Sequence, residues 1–407
     1  MTTATAPAER SEEGAPARVS HWTRVPADPA EWFDADEVAR GRAYNRPLDR
    51  LRRVRFVVGA AVTIAFIVGQ AAPRLIDALG VSGWVLQLVV VAAALEASTL
   101  VYSPWFDAHR ELLYDKRWGQ SNQTASGFLA DQLKGLAVGL VITVLLVVPL
   151  YAVIRATDLW WLYGWLIFSG FTVLFGVLYP VVIAPLFNSF TPLDDERLEA
   201  RVLEVAERAG LDIEGVLVAD ASRRSRAGNA YVAGLGRTRR VVLFDTILEW
   251  APEQVEQVVA HELGHWRHAH LRRKIPVLVG AQLVMFVLTW AALRWEPLLD
   301  LAGVGSAGDP ASLPLFLAVF PLGFVLVGLV SSWLSRVDER QADIHALEVL
   351  GDPEAFVGLF RQLAETNKAD VDPGRWKRLT ASHPPIAERL AMAQAWDGRR
   401  GDGSSAA

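Results

Sequence analysis

The sequence predicts a mainly α, polytopic membrane protein with an α/β segment carried on one side of the bilayer. Three observations predict it. The 407 residues are 52% hydrophobic, with a mean hydropathy of +0.24 and 15 tryptophans, which is too apolar for an ordinary soluble domain. Uncharged runs at 56–73, 78–95, 135–154, 159–193, 275–293 and 311–335 are long enough, alone or with their flanks, to cross a hydrocarbon core of about 30 Å. Between the fourth and fifth runs lies a stretch of mixed polarity, 194–274, that reads as a soluble insert. Six transmembrane helices follow.

Residues 1–20 are small, polar and rich in Pro, Ala and Glu, hence expected to be disordered, and they lack the apolar core of a signal peptide. Arginines then crowd Arg40 to Arg55 beside the first run, the mark of a cytoplasmic flank. With the N-terminus inside, the external connections carry only Arg74, Arg155 and Arg294, whereas Arg272, Arg273 and Lys274 precede the fifth run. The positive-inside rule therefore places both tails and 194–274 in the cytoplasm. The resulting division is a partly disordered N-terminal segment 1–50, spans one to four in 51–193, a cytoplasmic α/β segment 194–274, spans five and six in 275–335, cytoplasmic helices 336–397 and a disordered tail 398–407. The tail ends in no cysteine, so it has no prenylation box. Net charge −5 and a pI near 6.0 give no reason to expect nucleic acid as a partner.

Within the second run Glu96 interrupts an apolar stretch, so its carboxylate must face protein or water. In the insert, 195–209 has the pattern of an amphipathic helix with Leu198, Val202, Val205 and Ala206 on one side. Runs at 216–220, 229–235 and 239–248 read as short strands. Pro252 and Glu253 then open a helix. That helix carries His261-Glu262-Leu263-Gly264-His265. Histidines four apart project from one helix face a single turn apart, so both can reach one metal ion. Glu262 stands on the flank, placed to take a proton from water; this is the zinc-peptidase pattern H-E-x-x-H. The chain has no cysteine, so the remaining ligands must be nitrogen or oxygen.

A catalytic zinc takes three protein ligands and keeps one position open. His268 lies a further turn along the helix, and continued helical rotation points His270 to the opposite side. The third ligand therefore comes from another element, with Glu339, Asp338, Asp343, His345 and His383 as candidates. Glu339 and Asp343 share a helix face, so one can bind metal while the other orients a ligand histidine. Residues 335–351 and 352–366 read as helices, and Ser382-His383-Pro384-Pro385 as the start of another.

KRWGQSNQT at 116–124, IAPLFNSFTPL at 183–193, NAYVAGL at 229–235, VVLFDTIL at 241–248, HELGHW at 261–266, SRVDERQAD at 335–343 and SHPPIAERL at 382–390 occur in one order. In these the chain resembles the type I CAAX prenyl proteases, integral-membrane zinc endopeptidases of the gluzincin type, over roughly residues 100–395. The resemblance implies a membrane-helix barrel enclosing a water-filled chamber, with Glu96 on its wall, and one Zn2+ per chain. It implies that His261, His265 and Glu339 bind the metal, that Glu262 is the general base and that Asp343 supports the ligands from behind. It further implies that His383 assists at the oxyanion or the substrate, that Asn229, Ala230 and Tyr231 form a substrate-pairing edge strand, and that Arg389 is a basic residue near the site. The eukaryotic relatives carry seven spans, so one fewer is expected here. A bacterial cell membrane, membrane lipid and a peptide or protein substrate, lipidated or membrane-associated, complete the expectation. Two other readings share the motif: a general membrane quality-control zinc protease, and a non-catalytic membrane scaffold whose zinc is structural. The intact Glu262 disfavours the scaffold, since a closed site has no use for a base there.

Overall fold

The structure, a computed structural model, describes residues 27–234 and 238–401. The disorder expected for residues 1–20 falls outside the described residues, as does the tail beyond Gly401. The last helix nevertheless runs on to Gly401, into the part of the tail expected to be loose.

Helix α1 (Ala35–Val68) begins on a capping box in which Asp34 and Glu37 bond each other's backbone N–H groups. Its first turns are not a free cytoplasmic arm. Phe33 joins a core with Phe356, Leu359 and Phe360 from the far end of the chain. Asn45 donates to the Lys368 carbonyl at 2.7 Å. Tyr44 donates to Asp115 Oδ1 at 2.8 Å. Phe33, Tyr44 and Leu48 are buried, so the described part of 1–50 packs against the rest of the chain. The same helix continues without a break into the first apolar run.

Three apolar helices are long enough to cross a membrane: Trp84–Arg117, Ala125–Ala156 and His270–Ala292. Two bent pairs, Ala35–Val68 with Ala71–Leu79 (56°) and Trp160–Gly176 with Tyr179–Phe187 (52°), raise the number to as many as five among the described residues. The sixth expected run, 311–335, is divided between a short helix, Leu313–Val319, and the start of a much longer one, Leu322–Leu350. Aromatic and aliphatic side chains from these helices, including Leu88, Leu150, Tyr151, Phe286 and Phe316, form one core. Glu96 is half buried between two of the helices, with Thr143 Oγ1 at 3.5 Å and Gly139 alongside.

Three strands of the insert and one just ahead of it form a four-stranded sheet: β1 (Phe190–Pro192), β2 (Gly215–Ala219), β3 (Ala230–Ala233) and β4 (Arg240–Phe244), in the order β1-β2-β4-β3. β2 and β4 are parallel, while β1 and β3 pair antiparallel with their neighbours. β3 therefore lies at an edge. Helix α2 (Glu196–Arg208) buries the predicted Leu198, Val202, Val205 and Ala206. Helix α3 (Pro252–Arg267) buries Val255, Val259, Ala260 and Leu263 against the sheet and α2. Its other neighbour is α4 (Leu322–Leu350), whose Ala346 enters the same core. The crossing is close because Gly264 has no side chain. A Cβ there would meet Ala342 Cα and His345 Cδ2 at 3.1 Å each. Helix α5 (Pro353–Thr366) and helix α6 (Ile386–Gly401) pack together behind α4 and supply the third core.

Candidate active site

Helices α3 and α4 bring three side chains to one point. His261 Nε2 and His265 Nε2 are 3.2 Å apart, and each lies 3.4 Å from an oxygen of Glu339. These three offer ligand atoms within 4.8 Å of one another, a group able to hold a metal ion. The edge between the two histidine nitrogens suits zinc, and the carboxylate reaches His261 with Oε2 and His265 with Oε1. Donors at about 2.0–2.1 Å from a tetrahedral ion stand about 3.3 Å from one another. Glu339 Oε2 is also buried without a hydrogen-bond partner, which a carboxylate tolerates when a cation completes it.

Burial alone would lower the basicity of His261, but the carboxylates of Asp343 and Glu339 overcome it and push the imidazole up to about 10. Burial likewise opposes ionisation of Glu339 and Asp343. For Glu339 the two histidines and Arg389 prevail, and for Asp343 Arg389 and His261, so both carboxyls lie well below their usual range. The pocket thus demands positive charge where the metal would sit. Burial pushes the neighbouring Glu262 carboxyl up, which favours a group that must accept a proton.

Asp343 Oδ1 lies 2.9 Å from His261 Nδ1, on the side of the ring away from the putting-together of the three donors. Arg389 holds that aspartate with two N–H groups, Nε to Oδ2 at 2.8 Å and Nη2 to Oδ1, and stacks over Phe360 at 4.0 Å from the ring centre. His383 presents Nε2 to Glu339 Oε1 at 3.4 Å, and its Nδ1 bonds Ser382 Oγ at 2.8 Å. Its side chain is 61% exposed, so it borders the opening rather than the interior.

The other third-ligand candidates stand elsewhere. Asp338 faces Arg273 and Lys274 Nζ, the latter at 3.5 Å. His345 packs edge-on against His268 with ring centres 5.1 Å apart. Asn229 is exposed at the start of the edge strand, Ala230 is buried and Tyr231 is half buried, with β3 packed against α3.

One expectation is overturned. His270 does not point to the opposite side: its Nδ1 lies 2.8 Å from His265 Nδ1. The helix carrying the motif stops at Arg267, and a new helix, α7 (His270–Ala292), starts three residues later. Ala269 between them has φ +52°, a left-handed turn that no helical wheel anticipates.

The profile of peptidase family M48 matches residues 192–397, half of the chain. The chain belongs to peptidase family M48. Residues 17–189 match the description "CAAX prenyl protease N-terminal, five membrane helices". This M48 peptidase is 29% identical over 385 residues to an uncharacterized metalloprotease of Bacillus subtilis, YhfN, covering 90% of this chain and 88% of that one. It is 29% identical over 322 residues to CAAX prenyl protease 1 of Saccharomyces cerevisiae, covering 72% and 68%. The crystal structure of S. mikatae Ste24p shares the fold, with a TM-score of 0.80 at 24% identity over 91% of this chain and 92% of that one. The protein is accordingly an integral, multi-pass membrane metalloprotease of the M48 family, and the family implies zinc.

The M48 fold also gives structural meaning to two motifs that carried the resemblance. Asn188, in the 183–193 motif, accepts from Arg224 Nη1 at 3.0 Å, and Arg224 pairs with Asp131. Gln120 and Ser121, in the 116–124 motif, bond to Arg226 and Ser225. These contacts fasten the membrane helices to the insert.

Proposed function

We propose that this chain hydrolyses peptide bonds at a single zinc held by His261, His265 and Glu339, with Glu262 as general base. The observation that carries the reading is the convergence of two imidazole nitrogens 3.2 Å apart on the Glu339 carboxylate, Oε2 lying 3.4 Å from His261 and Oε1 3.4 Å from His265, with Oε2 buried and without a hydrogen bond. When bound there, zinc supplies Lewis-acid polarisation of the scissile carbonyl and acidifies a water toward neutral pH. Glu262 accepts the proton of the attacking water and passes it to the leaving amine nitrogen. His383, at the mouth, donates to the developing oxyanion. The edge strand Asn229–Tyr231 offers backbone N–H and C=O groups to an extended substrate. Asp343 holds His261 by its far nitrogen, and Arg389 neutralises that aspartate.

The arginines of 40–55 and Arg272–Lys274 support a site and termini facing the cytoplasm, and the Bacillus subtilis relative, matched over 90% of this chain, supports a bacterial cell membrane. Relatives named CAAX prenyl protease support a substrate with a lipidated C-terminus, a peptide or protein presented at the membrane.

Glu262→Gln tests the chemistry. Glutamine is nearly isosteric, so the variant is expected to bind one zinc per chain while turnover falls by several orders of magnitude. Near-native turnover, or loss of the metal, would contradict the assignment. Cleavage of a prenylated peptide against its unmodified counterpart tests the substrate class. Preference for misfolded membrane proteins over both would favour a quality-control role.

A further inference from the structure

The two motif histidines each have a second nitrogen, and only His261 gives its own to a carboxylate. His265 gives its Nδ1 to His270, at 2.8 Å, across the break between α3 and α7. In an unbroken helix His270, five positions on, would stand about 140° round the axis from His265. The left-handed backbone of Ala269 undoes that rotation. Such a conformation is unfavourable for alanine, so the surrounding structure must hold it in place.

The hydrogen-bond polarity of this side can be read link by link. His265 turns Nε2 toward His261 and Glu339, so the proton of the neutral ring is on Nδ1, which donates to His270 Nδ1. His270 must then carry its own proton on Nε2, which faces Gln341 Oε1 at 3.0 Å. That amide is oriented twice over. Its oxygen accepts from Arg273 Nη2 at 3.2 Å, and its nitrogen donates to His268 Nδ1 at 3.3 Å. His270 and Gln341 are 2% and 5% exposed, so water does not compete for these bonds. The nearest carboxylate to His270 Nε2 is Asp338, at 4.0 Å, and it is engaged by Arg273 and Lys274.

We propose that His270, oriented by Gln341, is a positioning residue for His265, accepting its Nδ1–H so that the Nε2 lone pair is aimed at the metal. The inference rests on the zinc reading above. A bland alternative is that His270 is a buried ring stacked on His268, whose centre lies 5.8 Å away.

Zinc affinity of the full chain in detergent, measured by competition with a chelator of known affinity, separates the two. His265→Ala is the reference; if it keeps zinc, the metal assignment itself fails. His270→Phe keeps an aromatic ring and removes both nitrogens, and is expected to weaken zinc by about 10–100-fold. His270→Asn places an amide oxygen where Nδ1 stands and is expected to recover most of the affinity. Packing predicts the reverse order. Zinc bound by the Phe variant as tightly as by the Asn variant would overturn the proposal while leaving the metal assignment intact. Should His270→Phe not fold, Gln341→Leu and Gln341→Glu serve instead. Glutamate keeps an acceptor for His270 Nε2–H and leucine does not, so leucine is expected to bind zinc more weakly, and equal affinities would overturn the proposal.

Discussion

On one side of the site His261 leans on Asp343, a buried carboxylate locked by Arg389. On the other side His265 leans on His270, a neutral ring followed by an amide. The first arrangement carries charge and must be neutralised within the protein, which Arg389 does from α6. The second carries none, and it stands at the first residue of a helix long and apolar enough to cross the membrane. A buried carboxylate, Asp338, does lie on this side, but it stands 4.0 Å from His270 and its charge is already met by Arg273 and Lys274, as a buried charge must be. Two histidines in the same motif are thus served by different chemistry according to what lies behind them.

The charged side is where the largest effect is expected. Asp343→Ala leaves buried Arg389 with only Glu339, at 3.8 Å, to offset its charge, a loss of about 3 kcal/mol of stability. It also removes the acceptor for His261, weakening zinc by about 10–100-fold. Replacing both Asp343 and Arg389 by leucine and methionine should restore most of the stability but not the zinc affinity. Thermal unfolding in detergent beside metal titration checks this, and a double variant as unstable as the single one would refute the role given to the arginine.

A smaller effect is expected at the crossing that joins the two sides. Gly264→Ala brings a Cβ to 3.1 Å from Ala342 Cα and His345 Cδ2. The helices must separate by a few tenths of an ångström, at a cost of about 1–3 kcal/mol, and Glu339 moves away from both histidines. Lower melting temperature together with weaker zinc is the expected pair of results; unchanged zinc affinity would show that the crossing does not set the ligand distances.

The least effect belongs to the far end of the neutral side. His268→Ala removes an acceptor for Gln341 and should cost about 0.5–1.5 kcal/mol, with one zinc per chain retained. Metal analysis decides it, and zinc loss would make His268 part of the site.

Much of this was legible in the residues. The i, i+4 histidines, the Glu339–Asp343 pair one turn apart and the amphipathic stripe of Leu198, Val202 and Val205 are local patterns, and local patterns survive into the fold. What was not legible depends on contacts between distant segments. Gly264 reads as an unremarkable member of its motif until α4 is laid across it. His270 was misplaced because helical rotation was continued through Ala269, and alanine gives no sign of a left-handed turn. The helix containing Glu339 was expected to start at Ser335, where polarity changes; backbone hydrogen bonding is indifferent to that change, and the helix starts at Leu322. The capping box at Asp34–Glu37 was a further local signal, of a helix start well ahead of the first apolar run.

The uninterrupted course of Leu322–Leu350 has a mechanical consequence. Its first half belongs to the apolar run expected as the sixth span and its second half carries Glu339, so one stiff rod of about 43 Å links that run to the proposed metal donor without a hinge. Glu339 stands about 26 Å along it from Leu322, and a lean of only about 5° would carry its carboxylate about 2 Å sideways. Helices lean to match the thickness of the lipid around them. Hydrocarbon thickness is therefore expected to act on turnover as a dial, with a sharp optimum across vesicles of graded acyl-chain length; a flat response would mean that the rod is held upright by the protein alone.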